Sequence, residues 1–246
     1  MVLVSLGCPK CESTNVEKYG VSSVGKQRYM CKSCKRTFQQ NYTYNACRAD
    51  TKSLIYFQTI NGSGTRAIAR SLGVDPGTVT SVLRSFESLL WHVNHDYLRE
   101  LAEQKINVEI VSGTEAEMDE MWSFVHDKSQ QYWLWWAIDH NTGAPLAFCF
   151  GTREHKNLEE LKKLLDGFNI AVVYADGNPA YGKHMGDCEI VTGKRNTQKI
   201  ERKHLSLRTW CSRLVRKGIR FSKSHTMHVI VVSLVINHWF FCRVLA

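Results

Sequence analysis

Two close pairs of cysteines constrain the N-terminal part of the chain more strongly than any other feature. They form two CxxC motifs with nineteen residues between them, made of Cys8 with Cys11 and of Cys31 with Cys34. Each motif brings two thiolates within reach of one ion, and a hairpin between the motifs completes a tetrahedron. This spacing predicts a structural Zn²⁺, because four thiolates leave no open coordination position for chemistry. Disulfides or redox chemistry are the competing interpretations.

Residues 1–48 are therefore predicted to form a zinc ribbon. Residues 26–31 and 36–39 favour short strands, and residues 19–27 favour the turn of the hairpin. A ribbon this small has too little hydrophobic core to hold together without its metal. Its basic residues are candidates for contacts with phosphates, and they are Lys26, Arg28, Lys32, Lys35 and Arg36.

The distribution of charge predicts a polyanionic partner. The 246 residues carry a formal net charge of +9, and nucleic acid is the first polyanion to consider for such a chain. Residues 196–246 contain ten lysines and arginines but a single acid, Glu201, whereas residues 113–195 contain eight basic and thirteen acidic residues. An acidic segment followed by a basic one is expected where carboxylates hold metal and nearby cations hold phosphates.

No segment of the sequence predicts export or membrane insertion. The N-terminal "MVLVSLG" has neither a positive start nor an apolar core of signal-peptide length. The most apolar run, residues 228–241, is short for a bilayer and contains Asn237 and His238, so we predict a buried helix. We expect a soluble intracellular protein, in which reduced cysteine pairs more often bind metal than form disulfides.

Residues 49–95 predict a helix-turn-helix. Apolar residues recur at helical spacing on both sides of Gly73, and Asp75 with Pro76 is typical of the N-cap and first position of a second helix. We predict that this second helix enters the major groove of DNA, and a helical hairpin used only for packing is the alternative. The predicted groove-facing residues are Thr78, Thr80, Ser81 and Arg84.

The remainder of the chain predicts a helix tail and connector over residues 96–112, followed by a mixed α/β domain over residues 113–246. Its predicted elements are strands at residues 120–125, 131–139 and 145–151, an amphipathic helix at 157–168, a buried strand at 170–177 and a short strand at 188–193. The residues after this last strand, 194–246, are predicted to be helical, with an interruption near residues 217–225.

Carboxylates in this domain are candidates for a metal site. Asp176 follows the predicted buried strand, and strand ends of this kind commonly bind ligands, although a turn aspartate that caps the next helix is the alternative. Four acids crowd the start of the first strand, namely Glu115, Glu117, Asp119 and Glu120. Repulsion between packed carboxylates is more easily explained by a cation than by solvent. Alternation along the strand leaves open whether Asp119 or Glu120 points into such a site.

The third candidate carboxylate is Glu201, in the predicted basic helix. Glu201 shares a helix face with His204 and Arg208, at positions i, i+3 and i+7. Positions 197 and 205 offer it no basic partner one turn away. We therefore expect the partner of Glu201 to lie on another element.

The chain resembles the insertion-sequence-one family of bacterial DDE transposases, in the fused form that carries DNA-binding and catalytic parts. The similarity rests on "AEMDEMWSFV", "DGNPAYG" and "TQKIERKHLSLRTWCSRLVRKGIRFSKS", together with the ribbon and the helix-turn-helix, and it extends over nearly the whole chain. It implies that residues 113–246 form an RNase H-like catalytic domain. It also implies that Asp119, rather than Glu120, forms an acidic triad with Asp176 and Glu201.

The resemblance further implies a two-metal reaction on DNA. The triad would hold two Mg²⁺ ions, with Mn²⁺ as a possible substitute, while water and then a new 3′-hydroxyl attack phosphodiesters. The residues expected to hold DNA are Lys199, Lys203, His204, Arg208, Arg213, Arg216 and Lys217. Expected partners are the terminal inverted repeats of an insertion sequence, target DNA, and a second copy in a homodimer or larger assembly. The expected location is the bacterial cytoplasm, associated with the nucleoid.

Two other functions remain open at this point. A DNA-binding regulator would use the C-terminal part only to dimerise and would be indifferent to Asp176. A metal-dependent nuclease would cut DNA without strand transfer.

Overall fold

The chain divides into two compact units, residues 1–51 and residues 52–246. A computed structural model describes residues 6–40, 42, 44–106, 113–177, 179–186, 188–215 and 217–245. The predicted helix-turn-helix segment and the predicted catalytic segment both lie within the second unit, apart from residues 49–51.

The first unit contains a three-stranded antiparallel sheet in the order β1-β2-β3. Its strands are β1 (Val16–Val21), β2 (Gln27–Cys31) and β3 (Thr37–Gln39), so the two predicted strands are confirmed. The predicted turn was too long, because residues 19–21 belong to β1 and pair towards β2. The register of this pair shifts between Lys18 and Val21, where Gly20 has a φ of 67° that residues with a Cβ rarely adopt.

Three helices begin the second part of the chain: α1 (Thr51–Ile60), α2 (Thr65–Leu72) and α3 (Pro76–Arg84). After α2, Gly73 adopts the left-handed conformation, at φ 63° and ψ 40°, that ends many helices. The side chain of Asp75 caps α3 by accepting the Gly77 N–H at 2.6 Å. The two predicted helices and their cap are confirmed, while DNA reading by α3 stays a prediction.

A five-stranded mixed sheet forms the centre of the second unit. Its strands are β4 (Thr114–Phe124), β5 (Gln131–Asp139), β6 (Pro145–Gly151), β7 (Ile170–Ala175) and β8 (Glu189–Thr192). They lie in the order β6-β5-β4-β7-β8, in which β4, β5 and β6 are antiparallel and both β7 and β8 run parallel to β4. The predicted mixed α/β class is therefore confirmed.

Helices cover both faces of this sheet. They are α4 (His95–Ile106), α5 (His155–Leu165), α6 (Pro179–His184), α7 (Gln198–Trp210) and α8 (His225–Trp239). Met118 of β4 packs in the core with Leu158 and Leu161 of α5 and Tyr181 of α6. Odd-numbered residues of β4 point to the opposite face, which α7 and α8 cover, because successive side chains of a strand alternate. Helix α6 is not among the elements predicted from the sequence.

The helix predicted from the apolar run near the C-terminus is confirmed as α8. Most of its residues are buried, and its polar Asn237 is fully buried. The Asn237 side chain accepts the Trp91 N–H at 2.9 Å and donates to the Trp91 carbonyl at 2.9 Å. It also donates to the Ser233 carbonyl and accepts from Arg243. Among the helices of the described residues, none is long and apolar enough to cross a membrane.

The helical segment before the sheet packs on the same C-terminal helix. The Tyr56 hydroxyl of α1 lies 3.0 Å from His238 Nδ1, and the Trp239 indole donates to the Ile60 carbonyl at 3.1 Å. Residues of α3 also contact α8. Helices α1 and α3 therefore share their packing with α8 and do not form a separate core.

Replacing the buried amide tests this packing. We expect Asn237→Ala to lower the free energy of unfolding by about 2–4 kcal/mol, because the N–H and carbonyl of Trp91 lose their fully buried partner. Urea titration followed by circular dichroism measures the change. Asn141→Ala, at an exposed position, is the control and should stay within about 0.5 kcal/mol of wild type. Equal losses in the two variants would contradict the role given to Asn237.

Candidate active site and cysteine cluster

The four cysteines of the two CxxC motifs converge at one end of the ribbon. Their sulfur atoms all lie within 4.8 Å of one another, with Sγ–Sγ distances of 3.6 Å for both Cys8–Cys34 and Cys11–Cys31. The backbone N–H of Cys34 is the main cause that lowers the pKa of Cys31 to about 6. A compact set of four thiol groups, one of them readily ionised, suits a tetrahedral metal ion.

The four acids of β4 separate onto the two faces of the sheet. Glu120 faces α6, where its carboxylate accepts the Tyr181 hydroxyl at 2.9 Å and pairs with Arg153 at 3.3 Å. Only 3% of the Glu120 side chain is exposed. Asp119 faces the opposite side, towards α7. Alternation left open whether Asp119 or Glu120 points into a metal site. The partners of Glu120 in the core favour Asp119 for that role.

The parallel pairing of β4 with β7 brings Asp119 and Asp176 to neighbouring positions. Glu117 of β4 is the register partner of Tyr174 of β7. Continuing this register by two residues sets Asp119 beside Asp176, which directly follows β7 and is exposed. Neighbouring strands lie about 4.8 Å apart, and register partners point to the same face.

Helix α7 is attached to β4 through the carboxylate of Glu117, whose side chain is 1% exposed. Glu117 Oε2 accepts the backbone N–H of Ile200 at 3.0 Å, and Oε1 lies 2.9 Å from His140 Nδ1. Thr197 precedes α7 without forming a side-chain cap. A carboxylate from the sheet therefore satisfies the helix N-terminus, where a negative charge is favoured.

Two further contacts hold the same end of α7. Lys199 donates through Nζ to the carbonyls of His140 and Asn141, the second at 3.0 Å. The His140 ring stacks on Tyr174 at 4.0 Å, and the Tyr174 hydroxyl donates to Glu115 at 3.1 Å. Glu115 and Glu117 are thus occupied by protein partners, which leaves Asp119 as the acid of this face nearest to Asp176.

Because its N-terminus is attached in this way, α7 places Glu201 and His204 on the side of the sheet where Asp119 lies. Glu201 follows Ile200 directly and is exposed. One turn later, His204 Nδ1 lies 3.4 Å from Asp119 Oδ2. The imidazole is buried against Trp136, so His204 has a protein partner instead of the open position that a direct DNA contact needs.

The electrostatics of Asp119 link the three carboxylates. Burial is the largest cause that raises the pKa of Asp119 to about 7, and the charges of Glu120, Asp176 and Glu201 raise it further. The hydrogen bond from the Glu120 N–H opposes this rise. Among the described residues, only the four cysteines form a group of three or more possible metal ligands within 4.8 Å of one another. The three carboxylates are therefore close enough to interact but do not form so compact a group, as expected for like charges.

The predicted DNA-holding residues occupy different environments. Lys217 is exposed, Arg208 is half-buried, and Arg216 lies outside the described residues. The Lys203 ammonium lies 5.2 Å from the centroid of the Phe240 ring, and burial lowers its pKa. In the ribbon, the Arg28 guanidinium lies 5.8 Å from the Tyr19 ring centroid.

On α3, two of the predicted DNA-holding residues face solvent, and two are partly covered. Ser81 and Arg84 are exposed, whereas Thr78 and Thr80 are half-buried. Thr80 donates to the Pro76 carbonyl at 2.6 Å.

Arg213 is half-buried, and its environment favours a structural contact over a phosphate contact. Its guanidinium donates to Ser222 Oγ and to the Met227 carbonyl, each at 3.4 Å. Burial lowers its pKa. The predicted DNA contact of Arg213 stays a prediction, and its hydrogen bonds to Ser222 and Met227 give it no support.

Several residues around the site escaped the sequence analysis. They are His140, Arg153 and Tyr181. The capping of α7 by Glu117 was also not predicted from the sequence. The acid cluster drew attention to Glu117, but no spacing in the sequence relates residue 117 to the start of a helix at residue 198.

The raised pKa of Asp119 predicts a pH-dependent effect of its removal. The unfolded value is near 3.8 and the folded value near 7, so the folded state binds the proton more tightly and loses stability as the pH rises from 4 to 7. Asp119→Asn removes this loss. We expect its gain in free energy of unfolding to be about 2–3 kcal/mol larger at pH 8.5 than at pH 5, in zinc-containing buffer free of magnesium.

Urea unfolding at the two pH values provides the measurement. Asp166→Asn, at an exposed position after α5, is the control and should change stability little at either pH. A gain from Asp119→Asn that is the same at both pH values would show that Asp119 ionises as it does in water.

Two family models match this chain. Residues 112–242, more than half of the chain, match the model described as IS1 transposase. Residues 1–35 match a zinc-ribbon model described as the InsA N-terminal domain.

Curated relatives point to the same family. The protein InsB of insertion element iso-IS1n from Shigella dysenteriae is 44% identical over 126 residues, which cover 51% of this chain and 96% of that protein. The protein InsB of insertion element IS1 9 from Escherichia coli strain K12 is 38% identical over 149 residues, which cover 58% and 89% respectively.

Among solved structures, a chain in the cryoEM structure of the simian T-cell lymphotropic virus intasome with PP2A regulatory subunit B56 gamma is 14% identical. The similarity covers 80% of this chain and 70% of that one, with a TM-score of 0.40 that does not establish a shared fold. This chain belongs to the IS1 transposase family.

Proposed function

We propose that this chain binds the terminal inverted repeats of an insertion sequence and catalyses 3′-end cleavage and strand transfer into target DNA. The observation that carries the proposal is the convergence of Asp119, Asp176 and Glu201 from β4, the end of β7 and the first turn of α7. Their mutual repulsion contributes to the raised pKa of Asp119. An RNase H-like fold for this unit is part of the proposal.

The three carboxylates suit a pair of Mg²⁺ ions, with Mn²⁺ as a substitute. Oxygen ligands from carboxylates are those that these hard cations prefer, and a cation would relieve the repulsion that raises the pKa of Asp119. When bound, the ions would activate the attacking oxygen and stabilise the leaving oxygen. Asp119, Asp176 and Glu201 would hold them.

The reaction would proceed in two displacements at phosphorus. In the first, water attacks the phosphodiester at the transposon end, and the bond to the 3′-oxygen breaks to leave a 3′-hydroxyl. In the second, this hydroxyl attacks a target phosphodiester, forms the new bond and releases a target 3′-hydroxyl. His204 would keep the Asp119 carboxylate in one orientation, since its Nδ1 lies 3.4 Å from Oδ2. Glu117 would keep Glu201 in place by holding the start of α7.

DNA would be held by cations and read by the helices before the sheet. Lys217 and Arg84 are exposed and available to phosphates or bases. We propose that α3 reads the inverted repeats with Thr78, Thr80, Ser81 and Arg84 in the major groove. Two ends must be joined in one event, so the active form would be a homodimer or a larger assembly.

The cysteine cluster would hold a structural Zn²⁺. All four ligands are protein thiols, so no open position remains for a reactant. Its contribution would be to fold the ribbon, whose strands otherwise enclose a small core centred on Phe38.

Single carboxylate variants test the catalytic assignment. We expect Asp119→Asn, Asp176→Asn and Glu201→Gln each to lower strand transfer by about 10³-fold or more, because each removes a charge that balances the cations. Binding of end DNA should persist. Labelled end duplexes and a target plasmid report cleavage and joining separately, and fluorescence anisotropy reports binding.

Glu115→Gln is the matched control, on the same face of β4 but bonded to Tyr174. It should retain activity within about threefold, as expected for a residue outside the metal site. Undiminished transfer by the Glu201 variant would exclude the triad. A wild-type protein that cuts without joining would be a nuclease, and one that binds without cutting would be a regulator.

Zinc content tests the ribbon. We expect one zinc ion per chain for wild type and none for Cys31→Ser, with weaker DNA binding, because the ribbon cannot hold its fold without the metal. Cys47→Ser, an exposed cysteine outside the cluster, is the control and should keep its zinc. Atomic absorption on dialysed protein gives the stoichiometry. Full zinc content in Cys31→Ser would remove that thiol from the metal site.

A further inference from the structure

The segment between α7 and α8 displays an apolar side chain among cations. Ile219 is 93% exposed, more than any other large hydrophobic residue that the structure describes. Lys217, Arg220 and Lys223 around it are also exposed. We name residues 217–223 the basic loop. Single exposed apolar residues are common, but an isoleucine that is almost fully exposed among cations suits a partner that offers both negative charge and apolar surface.

The base of this loop is attached firmly to the sheet. Ser222 is buried and pairs with Val125, just beyond the end of β4. The backbone N–H of His126 donates to the Ser222 carbonyl at 2.8 Å, and the Phe221 ring packs on Phe124 at 5.5 Å. The exposure of Ile219 is therefore a property of a loop with a fixed base.

A chain of buried hydrogen bonds strengthens this attachment. Ser123 donates to the Tyr132 carbonyl at 2.9 Å, so its oxygen must accept the proton of His228 Nε2 at 3.1 Å. His228 Nδ1 then accepts from the Ser222 hydroxyl at 2.9 Å, and Ser222 Oγ accepts from Arg213 at 3.4 Å. Burial is the main cause that lowers the pKa of His228 to about 3, so the imidazole is neutral and carries its one proton on Nε2. Arg213 and His228 thus support the loop.

We propose that the basic loop distorts duplex DNA by inserting Ile219 between adjacent base pairs, while its lysines and arginine hold the flanking phosphates. Proteins that kink DNA commonly use an aliphatic wedge of this kind beside cationic residues. The charge around Ile219 argues for a polyanion over a second copy of this basic chain. The proposal rests on the DNA binding proposed above.

The position of the loop agrees with such a contact. Val125, which pairs with the loop base, is six residues after Asp119, and this corresponds to about 20 Å along a strand. Successive base pairs of a duplex rise by about 3.4 Å, so the loop could reach DNA roughly six base pairs from a phosphate held at Asp119. Distortion at that distance would bend the duplex without occupying the catalytic carboxylates.

Fluorescence of 2-aminopurine, which rises when the base unstacks, tests the proposal. The probe is moved stepwise along two duplexes, one carrying the terminal inverted repeat and one of unrelated sequence, and the full-length protein is added in magnesium-free, zinc-containing buffer. Wild type and Ile219→Leu should raise the signal at one step, and the responding duplex identifies end or target DNA. Ile219→Ala should bind with about tenfold lower affinity and give no rise, and a mismatch at that step should restore its affinity.

Val244→Ala is the control, since Val244 is also apolar and exposed but lies in the C-terminal segment. It should behave as wild type. The proposal is overturned if Ile219→Ala raises the signal as wild type does, if wild type gives no rise at any step, or if Ile219→Ala instead changes the sedimentation coefficient of the free protein. The 2-aminopurine signal could also rise in dependence on Ile219 although the protein never joins DNA. That result would support the role of the basic loop and refute the proposed catalysis.

Discussion

A single buried carboxylate links the sheet of this protein to the helix that completes the candidate site. Glu117 accepts the Ile200 N–H at the start of α7 and pairs with His140 at the end of β5. A buried carboxylate is costly unless it is hydrogen-bonded, and these two partners supply its hydrogen bonds. Because the next residue of the helix is Glu201, this contact sets where the third carboxylate stands relative to Asp119.

Adjacent acids of one strand have opposite environments, and this division organises the site. Glu120 is enclosed by Tyr181 and Arg153 and helps hold α6 against the sheet. Asp119 faces Asp176, Glu201 and His204, and its pKa is raised to about 7. Asp119, Asp176 and Glu201 therefore bring together negative charges that raise the pKa of Asp119, as expected where a cation is to be bound.

Elements that depend on neighbouring residues could be predicted from the sequence, whereas contacts between distant residues could not. Periodicity and turn residues predicted two of the three ribbon strands, the cap of α3, the succession of larger strands along the chain and the buried α8, because these depend on neighbouring residues. The choice between Asp119 and Glu120 depends on which helix covers each face, and alternation alone could not supply it. The capping of α7 by Glu117 joins residues 83 positions apart. Arg213 illustrates the same limit: the resemblance implied a DNA contact for it, whereas in the structure its guanidinium donates to Ser222 Oγ.

Site-directed cleavage by bound iron tests most directly whether the three carboxylates form one metal site. Fe²⁺ replaces Mg²⁺ in carboxylate sites, and with ascorbate and peroxide it cuts the backbone close to where it is bound. In zinc-loaded protein, the account predicts three sets of cuts, near residues 119, 176 and 201, all suppressed together by excess Mg²⁺. Cuts at only one of these segments, or cuts that Mg²⁺ does not suppress, would contradict it.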